Sequence, residues 1–183
     1  RAIAELANGV LSPNDFGHRV GDLFRKQWHH VDELMDFDEA NGIPSTFFFA
    51  MRNGVALNYD LTMAEPIIKR VIDRGFGCGV HGIDYTNQQK MDAEYQSFSR
   101  ISGLTRFGIR MHYLHSDPMT LEKISRAGYL FDSSVFSDQR PYQIGDLWEF
   151  PLNIMDSHEF YNGKSVQTEK IDQIVHKTLD RIA

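Results

Sequence analysis

Short apolar segments alternate with segments of helical periodicity through the middle of the chain, and this alternation most constrains the fold. The apolar segments predicted as strands cover residues 43–50, 76–81, 107–110, 129–132 and 147–152. Between the first four of them, apolar residues recur every three or four positions, which predicts helices. Gly75, Gly103 and Gly128 follow these helices, and glycine commonly ends a helix. Helices between short strands predict right-handed crossovers and a mostly parallel α/β sheet.

The flanking segments read as helices. Residues 1–40 predict two helices, the second with Leu34, Met35 and Phe37 on its apolar side and a stop near Gly42. Residues 168–183 predict an amphipathic C-terminal helix.

Polar signals also place the helix starts. A capping box at Thr62 and Glu65 predicts the start of the first interstrand helix, with Pro66 in its first turn. Thr86 and Gln89 are expected to open the next one.

Composition limits the classes of function. With 183 residues, the chain is long enough for one compact domain, and we expect residues 1–183 to form a single domain. The net charge of −6 lacks the basic footprint of a nucleic-acid-binding protein. Cys78 is the only cysteine, which excludes an internal disulfide and predicts a small core residue. No apolar stretch predicts a membrane span, and the lack of a signal-peptide pattern predicts a cytoplasmic protein.

Ionisable side chains follow three of the predicted strands. His81 with Asp84, Arg110 with His112, and Asp132 are expected to converge at one edge of the sheet, because parallel strands end there. Histidine and carboxylate are ligands for zinc or a similar ion, and arginine can hold a carboxylate base or an anionic intermediate. Each of these residues could also have a purely structural role. His81 could be a hydrogen-bonded, partly buried histidine, Arg110 could pair with a structural carboxylate, and Asp132 could be a turn or cap residue.

Four segments carry a resemblance to a known family. They are Gly42-Ile-Pro-Ser-Thr-Phe-Phe-Phe49, His81-Gly-Ile-Asp84, Gly108-Ile-Arg-Met-His-Tyr-Leu114 and Ala127-Gly-Tyr-Leu-Phe-Asp-Ser-Ser134. In this order, over residues 43–156, they resemble the polysaccharide deacetylases of carbohydrate esterase family four. They are most similar to the branch associated with surface-polysaccharide and O-antigen biosynthesis. The resemblance implies a distorted, incomplete (β/α) barrel with around seven mostly parallel strands in the full domain.

The resemblance also implies a divalent metal site, with zinc the expected metal. The family's motif H-S/T-x-x-x-H supplies two metal histidines; His81 matches the first, and Tyr85 stands where the second is expected. Asp84, or a residue that the sequence does not identify, is then the expected replacement ligand.

The motif R-x-P-Y matches residues 110–113, with histidine in place of proline. The resemblance implies that Arg110 orients the catalytic carboxylate and that the backbone amide of Tyr113 helps to form an oxyanion hole. His112 would contact metal or substrate. Asp132 would tune a general-acid histidine. Trp148 is a candidate for stacking on a sugar, a role that core packing explains equally well.

Two further family motifs are expected outside the chain. The aspartate pair that supplies the catalytic base and one metal ligand would precede Arg1, and the Leu-x-His motif with the general-acid histidine would follow Ala183. We therefore expect a domain truncated at both ends.

The implied activity is metal-dependent hydrolysis of an acetyl group from a sugar of a polysaccharide or its precursor, by a hydrolase acting on C–N bonds other than peptide bonds. Two alternatives stay open. One is a noncatalytic carbohydrate-binding member of the same fold, which the tyrosine at position 85 favours. The other is a different metal-dependent amide hydrolase on a β/α barrel, because fold alone does not determine chemistry.

Overall fold

The computed structural model describes residues 30–55, 57, 60–155 and 168–182. Residues 30–43 belong to one compact unit, while residues 44–155 and 168–182 belong to a second. The predicted first helix, around residues 16–24, lies outside the described residues. The single-domain organisation of residues 1–183 stays a prediction.

The first unit contains helix α1, Val31–Asn41. The predicted stop is confirmed, because Gly42 adopts the left-handed conformation with a φ of 65° and its N–H reaches the carbonyl of Glu39. On the predicted apolar side, Met35 is fully buried, whereas Leu34 and Phe37 are exposed.

The second unit follows the predicted alternation. Its elements are β1 Thr46–Phe49, α2 Leu61–Asp73, β2 Gly77–Gly82, α3 Gln88–Ser102, β3 Ile109–Met111, α4 Thr120–Ala127, β4 Phe131–Asp132, β5 Tyr142–Ile144, β6 Leu147–Glu149 and α5 Thr168–Ile182. No described helix is long and apolar enough to cross a membrane.

The strands form one sheet in the order β1-β2-β3-β4-β6-β5. All neighbouring pairs are parallel except β5 with β6, which is antiparallel. The mostly parallel α/β sheet is thereby confirmed, whereas closure into a barrel of around seven strands stays a prediction. Strand β5 was not predicted, because its three residues carry little apolar signal. It pairs through a two-residue turn at Gly145-Asp146, where Gly145 has a φ of 59°.

On one face of the sheet, close contacts between neighbouring strands leave no room for side chains at the glycines of the strand motifs. In the cross-strand register Phe48 lies beside Gly79, and Trp148 lies beside Phe131. A Cβ atom on Gly108 would lie 2.3–2.5 Å from the ring of Phe131. One on Gly79 would lie 2.5 Å from the backbone oxygen of Gly108 and 3.0 Å from the ring of Phe48. A side chain at Gly108 would therefore collide with a ring, and one at Gly79 mainly with the backbone of the neighbouring strand. The centroids of the two phenylalanine rings are 6.4 Å apart in an edge-to-face arrangement.

The alternate residues lie on the other face of the sheet. Val80 and Ile109 are neighbours in the register, and both are fully buried. Helices α2 and α3 pack on β2, and α4 packs on β5 and β6.

The predicted start of α2 is wrong. Its N-cap is Asp60, whose side chain accepts a hydrogen bond of 3.0 Å from the backbone N–H of Thr62. Glu65 instead pairs with Lys69, and Pro66 lies inside the helix rather than in its first turn. The spacing of Thr62 and Glu65 matched a capping box, but an aspartate two residues earlier makes the cap.

The start of α3 also differs from the prediction. Asn87 is the N-cap and accepts from the N–H of Lys90, while the hydroxyl of Thr86 donates to Asp84.

Candidate active site

Two histidines meet where β2 and β3 end. His81 pairs in the register with Arg110, and His112 directly follows β3. Nε2 of His81 lies 2.9 Å from Nδ1 of His112, and Nε2 of His112 lies 2.8 Å from the carbonyl oxygen of Val55.

The hydrogen bonds determine where the proton of His112 lies. A carbonyl oxygen only accepts, so Nε2 of His112 carries a proton, and Nδ1 presents a lone pair to His81 when the ring is neutral. Burial lowers the pKa of His81 to about 4, as does the positive charge of a protonated His112, while a backbone hydrogen bond with Arg110 opposes the shift.

The backbone after His112 adopts an unusual conformation. Tyr113 and Leu114 have φ angles of 55° and 53°, in the left-handed region that residues other than glycine rarely adopt. The ring of Tyr113 is exposed and lies 4.1 Å, centroid to centroid, from the ring of His112. Strained conformations of this kind concentrate at functional sites. The turn is therefore an independent pointer to function at this edge of the sheet.

Arg110 is held by hydrogen bonds on one side and by an aromatic ring on another. Its Nε donates to the carbonyl of Ser133 at 3.1 Å and its Nη2 donates to Oγ of Ser133 at 2.8 Å. The guanidinium carbon lies 4.9 Å from the centroid of Phe48, a cation–π distance.

Arg110 is available to bind an anion. Burial lowers its pKa, opposed by the negative charge of Asp132. Among the described residues, however, no carboxylate forms an ion pair with it. The guanidinium is a fixed cation with unused capacity for an anionic group.

A cavity of about 660 Å³ lies on the same face as Arg110. Its polar lining includes Arg110 and Ser133, and its aromatic lining consists of Phe48, Phe131, Trp148 and Phe150. The side chain of Trp148 is 41% exposed, so it offers an accessible aromatic face.

Asp84 lies in a different environment from the histidine pair. Its Oδ2 is 3.0 Å from Nζ of Lys90 and 3.5 Å from Nη1 of Arg52, and its Oδ1 accepts from the N–H of Asn87. Burial raises the pKa of Asp84, but these contacts lower it by more, so the pKa lies below its ordinary value. In this structure Asp84 joins the loop after β1 to the start of α3.

The residues at this edge fit part of a metal site. Two nitrogen ligands of tetrahedral zinc, each at about 2.0–2.1 Å from the metal, lie roughly 3.3 Å apart, and the facing nitrogens of His81 and His112 are 2.9 Å apart. The bond from His112 to Val55 matches the usual arrangement in which a metal-bound histidine donates its other N–H to a carbonyl. Within the described ranges, however, no three His, Cys, Asp or Glu side chains come together to hold a metal ion.

Asp132 is fully buried, and strand alternation places its side chain on the face opposite Arg110. Its Oδ1 accepts from the hydroxyl of Ser134 at 2.6 Å. Its neighbour in the register is Glu149, which is also fully buried. A buried Asp132 acts on a ligand only through the residues around it.

Glu94 is a site-supporting residue that sequence reasoning missed. This residue of α3 is 2% exposed, and both carboxyl oxygens accept from the N–H of Ile83, just after β2. Burial raises the pKa of Glu94 to about 7. Its position between Met91 and Phe98 on the buried side of α3 was a usable signal.

The structure thus brings His81, His112 and Tyr113 together, with Arg110 on the adjacent strand. Asp84, Asp132 and Trp148 occupy separate positions around them.

Comparison with known proteins supports the fold. A crystal structure of a candidate polysaccharide deacetylase from Mycobacterium smegmatis is similar to this chain, with a TM-score of 0.66 and 17% sequence identity. The match covers 99% of this chain and 69% of that chain. No protein-family model and no curated protein matches the chain. At this identity the likeness establishes a shared α/β fold.

Proposed function

We propose that this protein is a carbohydrate deacetylase that removes an acetyl group from a sugar of a polysaccharide or its precursor, with a divalent metal, zinc, as cofactor. The observation that carries the proposal is the meeting of His81, His112 and the left-handed turn at Tyr113 where two parallel strands end. The similarity in fold to the Mycobacterium smegmatis protein supports it. The O-antigen branch is a finer proposal that rests on the sequence resemblance.

We assign the metal first to His81 and His112. The predicted ligand Asp84 would have to leave Lys90 and Arg52, whereas His112 already faces His81. The metal would supply an activated water and polarise the acetyl carbonyl. At least one further ligand must come from outside the described residues.

We assign the remaining roles to residues near the histidines and on the neighbouring strands. Arg110, fixed by Ser133, holds the negative charge of a carboxylate base or of the reacting group. The backbone N–H of Tyr113 donates to the oxyanion that forms at the acetyl carbon. Asp132 acts as a positioning residue, and Trp148 stacks on a sugar ring.

The experiment is an acetate-release assay on the protein expressed from the complete reading frame that encodes this chain. The purified protein is supplied with zinc, cobalt or manganese and given N-acetylated and O-acetylated oligosaccharides. We expect release that falls at least a hundredfold in His81→Ala and His112→Ala. His176→Ala is the matched control, because His176 is exposed on α5. A folded protein that releases no acetate with any of the metals would contradict the proposal.

A noncatalytic carbohydrate-binding protein is the second candidate. It is favoured by an incomplete set of metal ligands in the described part of the chain, together with an exposed Trp148. It predicts binding of acetylated oligosaccharides without bound metal and without release of acetate. Release from small acyl amides but not from sugars would identify a different amide hydrolase.

A further inference from the structure

Two buried carboxyl groups face each other on the helix-covered side of the sheet. Asp132 on β4 and Glu149 on β6 are Cα partners in the register, and each is 0% exposed. As register partners on neighbouring strands, their side chains lie side by side on the same face of the sheet. Two carboxylate anions this close in a buried site repel each other, so one of them is expected to hold a proton that it can donate to the other.

The surrounding donors show which group holds the proton. Asp132 accepts from the hydroxyl and the N–H of Ser134, and the hydroxyl of Ser134 is oriented by accepting from the N–H of Met111. Glu149 accepts from the N–H of Val135 through Oε1 alone. Its other oxygen, Oε2, is buried and faces no donor among the described residues. Asp132 accepts more hydrogen bonds than Glu149 and is therefore the better site for the negative charge. The better site for the proton is Oε2 of Glu149.

We propose that Glu149 is a protonated positioning residue, which donates a hydrogen bond to Asp132 and thereby holds the Ser133–Ser134 segment that orients Arg110. Ser134 is bound to Asp132, and both oxygens of Ser133 accept from Arg110. The chain of contacts runs from the buried face to the guanidinium on the cavity face. The proton between the carboxyl groups is a property of the fold, while its effect on catalysis rests on the proposed function.

The titratable groups near Glu149 lie on three neighbouring strands. Asp132 lies on β4, Arg110 on β3 and the phenol of Tyr142 on β5. The charged side chains of α4, the neighbouring helix, have their own partners: Lys123 pairs with Asp117, and Arg126 pairs with Glu122.

The pKa values agree with this arrangement. Burial raises the pKa of Glu149 to about 8, with the negative charge of Asp132 adding to the effect. Because this value lies above the ordinary pKa of 4.5, the protonated group stabilises the fold fully below about pH 4.5. That stabilisation is lost as the pH rises through about 8.

The test compares the wild type with Glu149→Gln in the complete protein, with Glu122→Gln as the exposed control. Glutamine is neutral and keeps a donor for Asp132, so we expect it to fold. At neutral pH the infrared carbonyl band of protonated carboxyl groups should be stronger in the wild type and in the control than in Glu149→Gln, in which Glu94, with a pKa of about 7, still contributes. Between about pH 5 and 8, the unfolding equilibrium constant of the wild type should rise relative to that of Glu149→Gln, by up to about tenfold per pH unit.

A second variant keeps the proposal testable if Glu149→Gln does not fold. Asn at position 132 can accept from Ser134 and donate to an ionised Glu149, so Asp132→Asn should weaken the infrared band as Glu149→Gln does. A band of equal strength in the wild type and in Glu149→Gln, or a Glu149→Gln protein with unchanged pH dependence of stability, would overturn the proposal.

A separate part of the experiment tests whether Glu149 helps to position Arg110. In the deacetylase assay, the alkaline loss of activity that accompanies ionisation of the pair should be absent from Glu149→Gln. An unchanged alkaline limb, despite a confirmed proton, would overturn the link to Arg110. If no acetate is released by any variant, the proposed function fails, while the proton is still decided by the infrared and stability measurements.

Discussion

Arg110 has geometry that lysine cannot reproduce. Its two nitrogen donors reach both oxygens of Ser133 while its guanidinium carbon lies 4.9 Å from the centroid of the Phe48 ring. For Arg110→Lys we expect acetate release to fall by about tenfold or more, because charge-assisted hydrogen bonds worth roughly 1.5–3 kcal/mol are lost. The control is Arg126→Lys, since Arg126 is exposed in an ion pair with Glu122. Equal activity in Arg110→Lys and wild type would show that the guanidinium has no role in orientation.

Tyr113 allows the backbone of the turn to be tested apart from its side chain. Tyr113→Gly and Tyr113→Ala both remove the ring, but only glycine relieves the left-handed conformation, which costs other residues roughly 1–2 kcal/mol. We expect the glycine variant to be the more stable by about 1 kcal/mol in urea unfolding.

The same pair of variants tests the proposed oxyanion donor. Both should keep acetate release within about tenfold of wild type, because the donor is a backbone group that both retain. Equal stability of Tyr113→Gly and Tyr113→Ala would contradict the claim that the left-handed conformation is strained. A large loss of activity in both would assign the function to the ring instead.

At this scale the strand-end residues were predictable, because their sequence positions follow directly from short apolar segments. The contact of His81 with His112 was not, since it depends on the pairing of β2 with β3 and on the turn after His112. The partner of Asp132 was missed for the same reason. In Leu147-Trp-Glu149, alternation places glutamate on the face of the buried Leu147, but only the β4–β6 pairing brings it to Asp132.

At the scale of elements, Gly108 is required by the ring of a neighbouring strand. Its backbone is not left-handed, so a Gly108→Ala change is opposed by space alone, with Cβ 2.3–2.5 Å from the ring of Phe131. We expect Gly108→Ala to lower the free energy of unfolding by about 1–3 kcal/mol.

A double-mutant cycle checks this cause. Phe131→Leu removes the ring that alanine at position 108 would meet, so the double variant should be more stable than the sum of the two single effects predicts. Additive effects in thermal or urea unfolding would mean that the glycine is needed for another reason.

Element order could be predicted because strand and helix periodicities differ and glycines separate them. Helix starts were less predictable, because a cap is one hydrogen bond and several nearby residues can make it. Asp60 and Asn87 make the caps of α2 and α3, within two residues of the threonines first considered. Strand β5 escaped prediction because its pairing partner, rather than its own composition, makes it a strand.

At the scale of the whole molecule, the proposed metal provides a measurement that does not require a substrate. A ligand that binds only the folded state stabilises it by about 2.7 kcal/mol at one hundred times its Kd. For the complete protein, saturating zinc should therefore raise Tm by roughly 5–10 °C over the chelator-treated protein, at about 2–4 °C per kcal/mol.

The histidine variants decide whether this stabilisation arises at the edge of β2 and β3. His81→Ala and His112→Ala should lose most of the zinc-dependent shift, while His176→Ala should keep it, because His176 is exposed on α5. A shift retained in His81→Ala would place the metal elsewhere. If Asp84→Asn loses the shift while His112→Ala keeps it, the aspartate is the second ligand, and it must then exchange Lys90 and Arg52 for the metal. The described structure favours His112, because its Nδ1 already faces His81 and its Nε2 is held by Val55.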